Sequence, residues 1–155
     1  MGTKQYDSAT DLITFSRASS ATFLGSNGLL QTAANDVPRI EYDATGAVKG
    51  LLIEEARTNL LLNSGTLATQ SVTVAATGNT LSFTGTGTVT LSGVSTAGPL
   101  VGTGTGENNR VNLTFTPTAG TLTLTVSGTV TNAQLEAGAF PTSYIPTTGA
   151  TATRA

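Results

Sequence analysis

The side chains that could do chemistry are few, and their spacing limits what they could do. His and Cys are absent, so neither a Ser-His-Asp nor a Cys-His constellation can be built, and the usual zinc ligand sets are missing. Carboxylates remain. Glu41 and Asp43 lie two apart in Arg39-Ile40-Glu41-Tyr42-Asp43. On a strand they share a face, which leaves a glycosidase-like pair or a Ca²⁺ site open beside the plainer reading of a solvated or subunit-pairing face. Glu54 and Glu55 are adjacent, so on a strand they point to opposite faces and cannot act together. Arg57, three residues after Glu54, is expected to make a structural salt bridge, with Glu54 or with a carboxylate of a neighbouring subunit.

Two further stretches carry recognisable residue types. Gly102-Thr103-Gly104-Thr105-Gly106 has the glycine content of a phosphate-cradling loop. It lacks the Lys-Ser/Thr ending, and no helix follows to present its N-terminus, so a turn is expected. Glu107-Asn108-Asn109-Arg110 is the most polar cluster of the C-terminal part and the candidate contact for a glycan or a protein partner; its alternative is a solvated loop. Aromatic platforms for a sugar are scarce. There is no Trp, and the aromatic residues are Tyr6, Phe15, Phe23, Tyr42, Phe83, Phe115, Phe140 and Tyr144. Phe83 and Phe115 occupy alternating strand positions and are expected in the core. Phe140 and Tyr144, on either side of Pro141, are expected to anchor the C-terminal tail. No catalytic, cofactor-binding or metal set is visible, so neither an enzyme nor a cofactor is expected.

The elements that must position these residues fall into two compositional parts. Of sixteen charged residues, twelve lie in residues 1–63, and none occurs from Ser64 to Gly106. A division near Asn63 follows, with an extended N-terminal attachment or oligomerisation module over 1–63 and a jelly-roll β-sandwich over 64–155. The net charge of −2, without a basic run, argues against nucleic acid. No apolar run exceeds three large residues (Leu51-Leu52-Ile53 and Leu60-Leu61-Leu62), and the first residues lack a signal-peptide core, so neither membrane insertion nor secretion is expected. Without Cys, no disulfide contributes.

Short strands alternate with turns throughout. Ile13 and Phe15 alternate within Leu12–Arg17, Asn27-Gly28 supplies a tight hairpin turn, and Arg39–Asp43 and Gly50–Ile53 are β-compatible. Glu54–Leu62 is the single stretch with helical character. From Gln70 onward period two is consistent. Val72 and Val74, Leu81 and Phe83, Val89 and Leu91, Val111 through Phe115, and Leu122 through Val126 face one side. Thr fills most of the intervening positions, where a β-branched hydroxyl suits a wet face. With turns at roughly eight-to-twelve-residue spacing, this predicts an all-β antiparallel sandwich. Strands so poor in charge carry little protection against edge pairing, so a homo-oligomer is expected, with sister chains covering edges and part of the Thr face.

Part of the chain resembles a known family. Ile13–Phe23, Ser26–Ala33, Val37–Asp43 and Gly50–Leu61 are together similar to a module common in tailed-bacteriophage structural proteins. Asn132-Ala133-Gln134-Leu135-Glu136-Ala137-Gly138, followed by Pro141-Thr142-Ser143-Tyr144-Ile145-Pro146-Thr147, is similar to the closing strand of carbohydrate-binding-like jelly rolls in those proteins. The resemblance covers roughly half of the chain. It implies a non-catalytic, homotrimeric decoration or fibre protein on the virion surface, made in the host cytoplasm and attached to the major capsid protein or to a tail or baseplate protein. The alternative it implies is a tail-fibre or tail-tip adhesin that recognises host surface glycan.

Overall fold

In a computed structural model, which describes residues 14–155, the alternation of apolar and hydroxyl residues closes into two facing antiparallel sheets. The strands in chain order are β1 (Ala21–Leu24), β2 (Leu30–Ala33), β3 (Ile40–Tyr42), β4 (Val48–Leu51), β5 (Arg57–Asn59), β6 (Gln70–Val74), β7 (Asn79–Gly85), β8 (Thr88–Gly93), β9 (Leu100–Val101), β10 (Val111–Phe115), β11 (Gly120–Ser127), β12 (Val130–Ala137) and β13 (Ala152–Arg154). One sheet has the order β10-β7-β12 and the other β6-β11-β8-β9. Their inner faces interdigitate around Leu81, Phe83, Val89, Leu91, Leu122 and Leu124, all at most 3% exposed. Val72, Val111, Leu113 and Val126 pack at the rim of this core. At about 1.5–3 kcal/mol for each large side chain removed from water, these positions supply the sandwich with its main driving force.

The two outer faces differ. On the four-stranded sheet the intervening positions are Ser71 and Thr73, Thr121, Thr123 and Thr125, and Thr88, Thr90 and Ser92. The register sets Thr123 beside both Ser71 and Ser92, and Thr125 beside Thr90. The result is an outward, uncharged hydroxyl face on which Ser71 Oγ and Thr123 Oγ1 bond at 2.8 Å. On the three-stranded sheet the corresponding positions are buried: Thr80, Ser82 and Thr84 of β7 and Gln134 and Glu136 of β12 are at most 2% exposed. A bulge in β12 makes this possible. The register slips between Thr131 and Gln134, with Asn132 at φ 47°. Because side chains alternate with period two, the extra residue turns Ala133 and Leu135 into the core and aims Gln134 and Glu136 outward.

That outer face is covered by the chain's own N-terminal segment and tail. Residues 141–147 cross it, and β13 pairs with β5 through Ala152↔Asn59, Thr153↔Thr58 and Arg154↔Arg57. The hairpins β1-β2 and β3-β4 lie beyond. The last residues of the chain, expected to belong to the sandwich, therefore pair with the N-terminal segment. The free edge of β12 is closed in the same chain, where the Leu60 amide donates to the Leu135 carbonyl at 2.9 Å. Asn59 takes the place of a strand residue there, donating to the carbonyls of Ala133 and Ile145 and accepting from the amides of Leu61 and Leu135.

Three local expectations change. Glu54–Leu62 is extended and not helical, because β5 and Asn59 spend its backbone and side-chain groups on β13 and β12. Asn27-Gly28 sits inside a five-residue connection between β1 and β2, with Gly28 at φ 73°. Of the strand expected over Leu12–Arg17, Leu12 and Ile13 lie outside the described residues, and Thr14–Arg17 is not strand. Instead the Arg17 guanidinium donates to the carbonyls of Ser19, Ala33, Ala34 and Val37 and closes the exit of the first hairpin.

Candidate functional site

Between the sandwich and the N-terminal hairpins lies a layer of buried polar residues, and beside it opens a cleft. The layer centres on Glu54. Its carboxylate accepts from the Ser143 amide at 2.7 Å, the Ser143 hydroxyl at 2.6 Å and Arg39 Nη1 at 2.8 Å, with Arg154 Nη1 at 3.4 Å. Arg39, in turn, reaches the Thr22 carbonyl and Ser143 Oγ. Arg154, 1% exposed, donates to the carbonyls of Ser143 and Glu55. Burial pushes the Glu54 carboxyl up. The bonds from Ser143, the charge of Arg154 and the bond from Arg39 outweigh it and hold the group below the usual carboxylate range. The Arg154 guanidinium is pushed down by burial, with Glu54 opposing.

A second knot joins β12 to the tail. Glu136, fully buried, accepts from the Thr142 amide and hydroxyl at 2.8 and 2.7 Å and from Gln134 Nε2 at 2.8 Å, while Gln134 Oε1 accepts from the Ile145 amide. Arg57 lies over Gly138, pairs with Glu55, approaches Glu136 at 4.0 Å and stacks on Phe140 at 5.2 Å.

The expected Glu54–Arg57 bridge is therefore not formed. Residues three apart in an extended chain face opposite sides. Glu54 is committed to Arg39 and Arg154, and Arg57 to Glu55, which places both sets of contacts inside one chain. None of these partners was legible as such, because Arg39 and Arg154 are 15 and 100 residues from Glu54 in the chain. Tyr144 is buried and anchors the tail through Ser64 Oγ at 2.8 Å, whereas Phe140 remains 54% exposed.

The polar cluster Glu107–Arg110 separates into two roles. Glu107–Asn109 forms a 3₁₀ turn. Glu107 and Arg110 form a two-bond ion pair at 2.7 and 3.1 Å. The pair is tied to the sandwich by Asn132 on Glu107, by Ser82 on Arg110 and by the Tyr144 ring 5.6 Å from the guanidinium. Asn109 holds its own loop, donating to the Thr105 carbonyl at 2.7 Å. Asn108 is exposed and its amide has no hydrogen-bond partner among the described residues. Of the four, it is the side chain free to meet something else.

Asn108 faces the cleft, which has a volume of about 330 Å³. Its walls are Phe23, Leu24 and Leu30 from the first hairpin and Glu41, Tyr42, Asp43 and Lys49 from the second, with Ser143 and Tyr144 below. Glu41 and Asp43 thus reach one site, but each already has a structural task. Glu41 pairs with Lys49 at 3.1 Å. Asp43 Oδ1 accepts from the Thr45 amide and hydroxyl and the Ala47 amide, and the Thr45 and Ala47 bonds hold the carboxyl below its ordinary value. Among the described residues no cluster of three acidic or other ligating side chains could hold a metal ion, and no helix is long and apolar enough to cross a membrane. The described residues thus form an all-β sandwich with a polar-latched N-terminal layer and a mixed cleft at the joint. No family model, curated protein or solved structure matches the chain.

Proposed function

We propose that this chain is a non-catalytic structural protein of a tailed-phage particle, acting as a homotrimer on the virion surface. The observation that carries the reading is the outer face of the four-stranded sheet, where eight Ser and Thr side chains stand in register with no charge among them. Solvated sheet faces are normally strewn with charges of both signs, which keep copies apart. A face of hydroxyls alone imposes no such repulsion, and a sister chain can cover it without burying a charge, provided the hydroxyls bond across the contact. The buried polar layer supports the same reading. Its bonds fix the N-terminal hairpins against the sandwich, so that a module resembling phage attachment segments is presented as a rigid body. The virion location and the partner, a major capsid protein or a tail or baseplate protein, rest on that resemblance.

The test is light scattering on the purified chain, followed by sedimentation with particles that lack their decoration or fibre proteins. A trimer that joins the particles is expected. Thr123→Lys with Thr125→Lys, which sets two charges in the middle of the hydroxyl face, should dissociate it. A monomer at working concentration, or a trimer indifferent to the two lysines, would refute the assignment of this face.

A further inference from the structure

Arg39 is built into the buried layer by one edge only. Its Nη1 faces three acceptors, the Thr22 carbonyl, Glu54 Oε2 and Ser143 Oγ, each at 2.8 Å. Nε is buried without a hydrogen-bond partner, and Nη2 donates to none of the described residues. A guanidinium is a rigid planar fork, so the Nε–Nη2 edge points away from those three acceptors. That edge is the pair of parallel donors that matches a carboxylate. The other guanidinia of the layer leave no such pair. Arg17 donates from all three nitrogens, Arg154 donates from both Nη atoms, and Arg57 donates from Nη2 to Glu55. A buried donor that meets no acceptor is rare in folded chains and calls for a partner.

The cavity that Arg39 lines opens where the chain leaves β4, between Phe15, Leu52 and Ile53. Its volume is about 170 Å³, below the roughly 300–1,000 Å³ of small-ligand sites and suited to a single side chain. Its apolar rim reaches solvent, with Ile53 77% exposed. Charge selects the side chain. Arg17, Arg39 and Arg154 stand against Glu54 and Asp36, three cations against two carboxylates. Both Glu54 oxygens are already bonded. An incoming carboxylate therefore meets an excess of positive charge and an open fork. We propose that this pocket docks a partner protein through one Asp or Glu side chain on the Nε–Nη2 edge of Arg39, with an apolar neighbour of that residue on Leu52 and Ile53. The proposal deepens the structural reading and rests on it for where the partner lies, on the phage particle. The pocket belongs to the hairpin side of the molecule and the hydroxyl face to the far side of the sandwich, so association through that face leaves the pocket open.

The experiment titrates the full chain with short blocked peptides that carry one Asp or Glu beside Leu or Phe, and with their Asn or Gln counterparts. Calorimetry gives the affinity, and NMR of the Arg39 Nε–H and the Ile53 amide gives the place. An acidic peptide is expected to bind, to shift both signals and to slow exchange of the Nε proton. Its amide counterpart should bind at least about tenfold more weakly, or 1.4 kcal/mol. Ser16→Glu and Ile53→Glu set a negative charge at the rim and should each weaken the acidic peptide by as much. Both side chains are exposed, so thermal unfolding should not change. No acidic hit at millimolar concentration, equal binding of acidic and amide peptides, or a shifted Ile53 amide beside an unmoved Arg39 Nε–H would overturn the proposal. Inorganic phosphate that binds as tightly as the peptides would overturn it too, as would copies of the chain that associate through the pocket, seen as scattering lowered by Ile53→Glu. Sedimentation with particles keeps the two readings apart. Ile53→Glu should leave the trimer intact and abolish its joining to particles, and joining that survives would overturn the docking role. Thr123→Lys with Thr125→Lys should dissociate the trimer and leave peptide binding unchanged.

Discussion

Arg154→Ala removes one buried guanidinium, yet it should act on elements far from it in sequence. Arg154 is 1% exposed and makes three hydrogen bonds, to Ser143 O at 3.0 Å, Ser143 Oγ at 2.8 Å and Glu55 O at 2.8 Å, besides its approach to Glu54. Bonds from a charged donor contribute about 1.5–3 kcal/mol each, but much of that gain offsets the cost of burying the guanidinium. Deleting one partner of a buried ion pair costs about 3–5 kcal/mol when the other is orphaned. Glu54 is not orphaned here, because Arg39 and Ser143 still hold it. The loss should therefore fall near the lower bound, about 3 kcal/mol. For a chain of this size that lowers the unfolding midpoint by about 6–12 °C.

Calorimetry gives the magnitude, and native-state hydrogen exchange gives the place. Protection of β5 and β13 should be lost first, since their pairing depends on the latch, while β7 and β11 should keep theirs, shielded by the sandwich core. Arg154→Lys should recover less than half of the loss, since an ammonium cannot reproduce the planar fork that reaches Ser143 and Glu55 together. A midpoint shift below about 2 °C, corresponding to under 1 kcal/mol, or equal loss of protection in β5 and β7, would refute the view that buried charge binds the N-terminal layer to the sandwich.

Other perturbations test neighbouring parts of the argument. Asn59→Ala leaves the Leu61 and Leu135 amides and the Ala133 and Ile145 carbonyls buried without that partner, and should cost about 3–5 kcal/mol, read by urea unfolding. Gly138→Ala sets a methyl group against the Arg57 guanidinium at a backbone φ of 144°. It should cost about 1–3 kcal/mol and quench the Arg57–Phe140 stacking, seen as loss of the ring-current shift on the Arg57 methylenes. The pH dependence follows from Glu54. Its carboxyl titrates lower folded than unfolded, so its stabilisation is complete above the ordinary value of 4.5 and is lost as pH falls through the lower folded value. The midpoint should hold down to about that pH and drop below it, and Glu54→Gln should flatten the drop while lowering the plateau. An unchanged acid slope in that variant would remove Glu54 from the account.

The sandwich was legible because its information is local. Leu81 and Phe83, or Leu122 and Leu124, declare a buried face within three residues, and the intervening Ser82 or Thr123 declares the opposite face. The strand register then needed only turns. The polar layer is different in kind. Glu54 finds its partners at Arg39, Ser143 and Arg154, and nothing in the types or spacing of those residues distinguishes them from surface charges. The bulge at Asn132 is the nearest to a local sign. Val130 and Leu135 are both apolar and five apart, which breaks period two and marks the slip that carries Gln134 and Glu136 outward.

This difference bears on function. The cleft exists only where the polar layer has already fixed the hairpins, so Asp43 and Asn108, 65 positions apart in the sequence, become neighbours through bonds that neither of them makes. Their readings from sequence, a carboxylate beside Glu41 and an amide in a polar loop, were each defensible and each incomplete. What joins them is the Glu54–Arg39–Arg154–Ser143 set. A substitution there should therefore displace the hairpins as well as cost stability, whereas Asn108→Ala should do neither. Backbone amide NMR on Arg154→Ala and Asn108→Ala, read at β1 to β4, separates hairpins held by the latch from hairpins that stand without it. If Arg154→Ala left those amide shifts unchanged while β5 and β13 lost protection, the hairpins would be placed by contacts other than the buried charges.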